Sequence, residues 1–257
     1  MMKKCLLDFR VVENVRINSN YGLLKLCVVY GTMPRLDGGQ FVEIEVPDSK
    51  STFLRRPISV CNVDGGLLWL LIRNAGEGTR HLINLPVNSV VNLMLPLGNG
   101  YSRPADKERL TLLVGGGVGV APLLYFGKFL RAEGFNIAFL LAAKTKNDLL
   151  LLDEFRKVAK VYVSTDDGSM GEKGLITKNS ILESSEISHI SCCGPLPMMK
   201  GVAAIARDRG ITCEVSLENV MACGLGACLC CVEDTADKGN VCVCKDGPVF
   251  NINRLKW

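Results

Sequence analysis

A chain of 257 residues, 48% of them hydrophobic, is long enough for one large domain or for two ordinary ones with an appendage. Its 30 basic and 26 acidic side chains leave a net charge of only +4, scattered and without aromatic interleaving, which argues against a nucleic-acid partner. No apolar run nears the roughly 18 residues of a membrane span, and Asp8, Arg10 and Glu13 break the opening "MMKKCLLDFRVVENV" before it reaches the length of a secretion signal, so a soluble, cytoplasmic protein without membrane contact is expected.

In chain order, the first hundred residues hold short β-type runs, "LLKLCVVY", "QFVEIEV", "ISVCNV", "LLWLLIRN" and "VVNLMLP". Turn signals such as "PRLDGGQ", "DGG" and "PLGNG" separate them, which predicts an antiparallel barrel or sandwich. From about residue 108 the rhythm changes. "LTLLVGGG" is a buried strand, "APLLYFGKFLRAEG" a helix, "NIAFLLAA" a strand and "LLLLDEFRKVA" a helix. The strands "KVYVSTDDG" and "ISHISCCGP" follow, then the helix "PMMKGVAAIARDRG". That alternation predicts a doubly wound parallel sheet. Six of the twelve cysteines fall between residues 223 and 244, where regular pattern is sparse; such a segment needs a metal to hold it.

Three stretches suit anionic ligands. In "LLVGGGVGVAPLLYF" a buried strand runs into Gly115, Gly116, Gly117 and Gly119 and then a helix, a turn that lets a phosphate approach backbone N–H groups. In "FLRRPISV" Arg55 and Arg56 stand among uncharged residues, and an arginine fork grips a diphosphate. In "LLIRNAGEGTRHLINLP" Thr79 stands at the expected N-cap of a short helix. Each alone also reads as a tight turn, a surface basic pair or an ordinary capped helix. Together, two phosphate-type sites on two kinds of fold predict two nucleotides.

The cysteines Cys223, Cys228 and Cys231 are spaced C-x4-C-x2-C, as in plant-type [2Fe–2S] proteins, which take a fourth cysteine further on. Spacing leaves Cys242 and Cys244 open for that place. It also leaves a zinc site open, from Cys228 with Cys231 and Cys242 with Cys244. In a cytosolic chain so many cysteines point to metal or redox chemistry rather than disulfides. His81 and His189, the only histidines, lie too far apart in sequence to suggest a dyad, and no catalytic acid or base is assigned.

"RRPIS", "GEGT", "LPLGNGY", "VGGGVGVAP" and "CCGP" occur in the order seen in ferredoxin reductase-like flavoproteins, which the chain resembles over essentially its whole length. Within that superfamily, "TDDGSMGEKGLIT", "ACGLGACLCC" and "VCKDGPVF" are similar to the electron-transfer subunits of type B dihydroorotate dehydrogenases. The resemblance implies an FAD-binding β-barrel at 1–105, an NAD-binding α/β domain at 106–212 and a [2Fe–2S] segment at 213–257. It implies that Arg56, Pro57, Ile58 and Ser59 form the flavin signature, with Arg56 on the diphosphate and Ser59 near the isoalloxazine. Leu71, Ile72 and Arg73 match a second flavin-contacting strand, and Gly78 and Thr79 the flavin pyrophosphate turn. Gly116, Gly117, Gly119 and Pro122 match the nicotinamide-nucleotide loop. Cys193, Gly194 and Pro195 match the turn beside the nicotinamide.

An acidic side chain, Asp166 or Asp167, near the adenosine ribose favours NAD over NADP, although "TDDGS" also reads as a polar turn and Lys144 and Lys146 lie nearby in sequence. The resemblance selects Cys244 as the fourth ligand beside Cys223, Cys228 and Cys231. It implies an oxidoreductase subunit that relays electrons in pyrimidine biosynthesis, with an FMN-containing catalytic subunit as partner in a heterotetramer of two of each. An NAD(P)H–ferredoxin or sulfide-dehydrogenase-type reductase subunit, and a zinc-stabilised nucleotide-binding regulator, are the alternatives.

Overall fold

The computed structural model describes residues 3–257, which form two compact units. The first comprises the chain up to Gly100 with Glu218–Asp234 and Lys238–Pro248; the second comprises Tyr101–Leu217, Thr235–Asp237 and Val249–Trp257. No helix among the described residues is long and apolar enough to cross a membrane.

The first unit contains β1 (Cys5–Arg16), β2 (Tyr21–Val28), β3 (Phe41–Ile44), β4 (Arg56–Ser59), β5 (Asn62–Asp64), β6 (Leu67–Arg73), α1 (Glu77–Leu82) and β7 (Val90–Leu97). Its antiparallel sheet has the order β4-β3-β7-β1-β2-β6-β5. The chain passes from edge strand β4 to edge strand β5 through Val60 and Cys61 alone. Val60 N–H donates to Gln40 O at 2.9 Å beside β3, and Cys61 N–H donates to Trp69 O at 3.0 Å on β6. Two edges joined over two residues force the sheet to curl into the expected barrel. Inside it, the cross-strand pairs Leu24–Leu70 and Leu26–Leu68 are completely buried, each side chain contributing about 2 kcal/mol of apolar burial. On the opposite face of the same strands Lys25 lies 4.4 Å over the Trp69 ring.

The strand β3 departs from the alternation expected of a sheet with one solvated face. Val42 and Ile44 are fully buried, and on the other face Glu43 is fully buried and Phe41 buried. The cysteine-rich segment covers that second face. A Cβ built on Gly224 would stand 2.9 Å from Glu43 Cγ, 3.1 Å from Met94 Cε and 3.2 Å from Leu97 Cδ1.

The second unit contains β8 (Leu110–Gly116), α2 (Ala121–Ala132), β9 (Ile137–Ala143), α3 (Leu152–Val158), β10 (Lys160–Thr165), β11 (Glu172–Lys173), β12 (Ile187–Cys193), α4 (Leu196–Asp208) and β13 (Thr212–Ser216). Beyond it the chain forms β14 (Val232–Thr235), β15 (Gly239–Cys242), α5 (Val243–Asp246) and β16 (Val249–Asn251). The sheet order is β11-β10-β9-β8-β12-β13-β16, parallel except where β16 runs antiparallel to β13. The chain starts in the middle at β8, fills one side, then crosses to β12 on the other. This is the doubly wound arrangement, with its topological switch between β8 and β12. Every residue of β8 is buried, as a central strand covered on both faces requires. The cysteine-rich segment is more regular than its sequence suggests: β14 and β15 pair as a two-stranded ribbon and β16 extends the parallel sheet.

A buried histidine is expected to make this unit acid-sensitive. His189 on β12 is 4% exposed, its Nε2 has no hydrogen-bond partner, and burial pushes its pKa down to about 4. The unfolded chain protonates this group near pH 6.5, so the unfolded state holds more protons below that value. Stability is therefore intact above about pH 6.5 and declines as pH falls toward about 4, by up to about 3 kcal/mol. Urea melts at pH 7 and pH 4.5 should show that extra acid loss in the wild type and not in His189→Leu.

Candidate functional site

In the first unit the structure brings Arg56 and the helix α1 together. A Cβ on Gly78 would lie 2.7 Å from Arg56 Nε and 3.2 Å from its Cζ, so only glycine admits the guanidinium over the first turn. Arg56 Nη1 donates to the carbonyls of Leu54 (2.8 Å) and Arg55 (3.2 Å), which anchors one edge of the fork. Pro57, Ile58 and Ser59 continue along β4, Ser59 paired with Phe41. On β6, Leu71 and Ile72 are buried in the core and only Arg73 is exposed. Burial raises the acid of Glu218, and the nearby Arg73 charge opposes that rise.

Thr79 is not the N-cap expected from sequence. Gly76 holds that place, with extended backbone, and Thr79 is the third helical residue. Its hydroxyl reaches back to accept from Ala75 N–H (2.9 Å) and Gly76 N–H (3.1 Å) and donates to Gly76 O. The threonine thus supplies the reciprocal half of a capping box; glycine before it has no side chain with which to cap.

In the second unit the loops after β8 and β12 close on each other at the switch point. A Cβ on Gly119 would stand 2.6 Å from the Cys193 carbonyl carbon and oxygen, and one on Gly116 would meet Met198 Sδ at 2.5 Å and Pro195 Cδ at 3.3 Å. Gly117 has φ +56, a conformation that favours glycine. Pro122 sits in the first turn of α2, where its missing N–H costs nothing. Gly116 and Gly119 therefore pack against Cys193, Gly194 and Pro195 at the carboxyl ends of the strands, with Gly117 in the same turn and Pro122 in the helix that follows. Asp166 and Asp167 follow β10 and are exposed. Asp167 is tied into its own turn, accepting from Ser169 N–H (2.9 Å) and Oγ (2.7 Å), and these bonds hold its carboxyl below the usual range. The same turn takes in Lys144 and Lys146 through their backbones: Asp167 N–H donates to Lys144 O, and Lys146 N–H to Ser169 Oγ. Asp166 is left as the carboxylate free of that turn.

The cysteine loop draws its sulfurs and backbone donors together. Leu225 N–H donates to Cys223 Sγ (3.3 Å), Gly226 N–H to Cys244 Sγ (3.1 Å) and Cys244 N–H to Cys231 Sγ (3.4 Å). Gly224, Gly226 and Leu229 take positive φ of 65°, 80° and 59°, which turns the loop about its sulfurs. Burial works against ionisation of Cys223, but the N–H groups of Leu225, Cys228 and Ala227 and the Cys228 thiol outweigh it and bring its pKa down to about 6. Burial, reinforced by a hydrogen bond with the Cys231 thiol, pushes Cys244 up to about 12. Cys223 is thus linked to Cys228 and Cys244 to Cys231. Cys230 is exposed, and Cys242 donates to Gly226 O at 3.7 Å. Among the described residues no three His, Cys, Asp or Glu side chains stand in metal-coordinating geometry; it is the donor chemistry that fits an iron–sulfur centre, four thiols with N–H groups aimed at three of them.

The family described as the iron–sulfur cluster binding domain of dihydroorotate dehydrogenase B matches residues 218–256, and the oxidoreductase NAD-binding domain matches residues 113–204. The chain is 37% identical over 255 residues to a protein of Fusobacterium nucleatum subsp. nucleatum named dihydroorotate dehydrogenase B (NAD(+)), electron transfer subunit, covering 95% of each. It is 37% identical over 243 residues to the protein of that name from Clostridium perfringens, covering 94% of each. Its fold matches the solved NADH-dependent reduced ferredoxin–NADP oxidoreductase structure, described in terms of flavin-based electron bifurcation, with TM-score 0.83 and 28% identity over 97% of this chain and 90% of that one. The cytochrome b5 reductase domain of Ulva prolifera nitrate reductase shares the fold at 18% identity and TM-score 0.65, over 80% of this chain and 94% of that one.

Proposed function

Because the chain belongs to the family of dihydroorotate dehydrogenase B electron transfer subunits, we propose that it carries electrons between an FMN-containing catalytic subunit and NAD+, by way of a [2Fe–2S] centre and FAD. The assembly is a cytoplasmic heterotetramer of two of each subunit, serving pyrimidine biosynthesis. The observation that carries this reading is the cysteine loop, whose backbone N–H groups point at Cys223, Cys231 and Cys244 within the same unit that sets Arg56 over Gly78.

FAD supplies the exchange between two-electron hydride chemistry and one-electron steps. The residues of this chain bind and orient. Arg56, with Gly78 beneath it and Thr79 holding the turn closed, offers charge and N–H groups to the flavin diphosphate. Pro57, Ile58 and Ser59 carry the flavin along β4, and Leu71, Ile72 and Arg73 shape the neighbouring strand. Gly116, Gly117 and Gly119 let the phosphates of NAD approach the crevice that Cys193, Gly194 and Pro195 close from the other side, with Pro122 starting the helix behind them. Asp166 is the carboxylate for the adenosine ribose hydroxyls, and it disfavours a 2′-phosphate. Cys223, Cys228, Cys231 and Cys244 hold the iron. No side chain is assigned as general acid or base.

The similarity to a ferredoxin–NADP oxidoreductase structure supports a second reading, a reductase subunit serving another redox partner. Anaerobic co-expression with a dihydroorotate dehydrogenase catalytic subunit separates the two. The expected result is a complex with flavin and iron–sulfur absorption that reduces NAD+ with dihydroorotate only when both chains are present. A coloured protein that reduces ferredoxin and ignores dihydroorotate would favour the second reading, and a colourless zinc protein would refute both.

A further inference from the structure

One buried side chain of the second unit is tied to the elements that carry both nucleotide loops. Tyr101 is 8% exposed, and its ring stacks on Phe126 of α2 with centroids 5.1 Å apart and planes at 27°. Its hydroxyl donates to the carbonyl of Cys192 on β12 at 3.1 Å. Ser216, at the end of β13, hydrogen-bonds the same hydroxyl. Burial raises the phenol well above its ordinary pKa; the charges of Cys193, Cys192 and Glu214 add to the rise and Ser216 opposes it, so the group stays a donor.

Each of these contacts lies next to the proposed nucleotide site. Cys192 immediately precedes the turn made by Cys193, Gly194 and Pro195. The strand β12 is held by its neighbours as far as Cys193, which pairs with Gly115 on β8 and Ser216 on β13, and the chain leaves the sheet at Gly194. A peptide group is planar, so a bond that fixes the direction of the Cys192 carbonyl also fixes the plane from which Cys193 departs. Phe126 lies on the helix that follows the glycine loop, and Gly119 of that loop abuts the Cys193 carbonyl and Gly194 Cα. Tyr101 therefore rests one end on α2 and the other on β12. Phenylalanine would fill the same space, but only the hydroxyl reaches the Cys192 carbonyl.

We propose that Tyr101 is a positioning residue for the nicotinamide: braced on Phe126, its hydroxyl fixes the peptide before Cys193 and so holds the turn that meets the nicotinamide end of NAD. The inference rests on the function proposed above and assigns this residue to one end of the dinucleotide. The phosphates and the adenosine are left to the glycine loop and Asp166. Loss of the hydroxyl should thus slow the oxidation of NADH by the flavin without weakening the hold on the rest of the ligand.

The test uses the full chain loaded with flavin and compares wild type, Tyr101→Phe and Gly134→Ala, the last at a glycine beyond the end of α2 with open space around it. Two quantities are read: the limiting rate of flavin reduction at saturating NADH, by anaerobic stopped-flow absorbance, and the Kd of ADP-ribose, the dinucleotide without its nicotinamide, by calorimetry. In Tyr101→Phe the limiting rate is expected to fall about tenfold, as a slight misplacement of a reacting group does, while the ADP-ribose Kd stays within about twofold of wild type. Both variants should melt a few degrees lower, and Gly134→Ala should keep the wild-type rate, which separates positioning from loss of stability. A Tyr101→Phe limiting rate within about twofold of wild type would rule the inference out. So would a parallel loss of rate and ADP-ribose affinity, which marks a general loosening of the unit. Should Tyr101→Phe not fold, Phe126→Leu takes its place: it keeps the hydroxyl but frees the ring to shift, and a wild-type rate there rules the inference out equally. A wild-type chain that binds no ADP-ribose and is not reduced by NADH would instead sink the proposed function, and this inference with it.

Discussion

Cys231→Ser is expected to abolish iron–sulfur absorption and acid-labile sulfide in the purified protein, while Cys230→Ser leaves both at wild-type level. The two residues are neighbours in sequence, yet Cys231 is 2% exposed and its sulfur accepts Cys244 N–H, whereas Cys230 is exposed. Serine is a hard oxygen ligand and replaces thiolate poorly at iron–sulfur centres. Electron flow to the catalytic subunit should fall by more than about 100-fold in Cys231→Ser, since losing a ligand exceeds the effect of losing its supporting shell. Reduction of a small artificial acceptor by NADH, which needs only flavin and nucleotide sites, should stay within about twofold of wild type. The reverse pattern, with Cys230→Ser colourless at long wavelength and Cys231→Ser intact, would overturn the proposed ligand set.

Much of this organisation is legible in the sequence because it follows from periodicity and turn chemistry. Strand β8 is an uninterrupted apolar run that ends in glycine, and the structure makes it the fully buried central strand next to the switch point. What the sequence does not reveal depends on contacts remote along the chain. The strand β1 is absent from the strand-like runs because Asp8, Arg10 and Glu13 interrupt its apolar character; in the fold Asp8 and Arg10 alternate outward between Phe9 and Val11, both fully buried. Thr79 lies three positions beyond the N-cap it suggests in sequence, because a glycine N-cap followed by a threonine at the third helical residue looks, in one dimension, like a loop followed by a threonine cap. The acid of Glu43, one of the alternating polar residues in "QFVEIEV", reads as solvent-facing until the cysteine loop is laid over it. The spacing could not separate Cys242 from Cys244. The fold does distinguish them: Cys244 is buried and exchanges hydrogen bonds with Cys231 and Gly226, while Cys242 gives its thiol to a carbonyl.

Gly119→Ala carries the second large expected effect, and backbone geometry decides it. The added Cβ would lie 2.6 Å from the carbonyl carbon and oxygen of Cys193 and from Gly194 Cα, atoms that cannot swing aside as the end of a side chain can. Relief requires the loop after β8 to part from the loop after β12. Overpacking of that kind costs about 1–3 kcal/mol, which for a chain of this size lowers Tm by about 4–8 °C for 2 kcal/mol. The functional loss should be larger than the stability loss, because the contact that is forced apart lies at the proposed nucleotide site. The KM for NADH is expected to rise more than about tenfold, as a misplacement of order 1 Å in a binding constellation does, while dithionite still reduces the bound flavin completely. Gly134→Ala is the control: Gly134 has φ +85 and nothing within 4 Å of its Cβ position, so alanine there strains the backbone after α2 without touching the crevice. It should lower Tm by a few degrees at about 1 kcal/mol and leave the KM for NADH unchanged. If Gly119→Ala and Gly134→Ala behaved alike, the contact between the glycine loop and Cys193 would be structural only, and the nucleotide would have to be placed elsewhere.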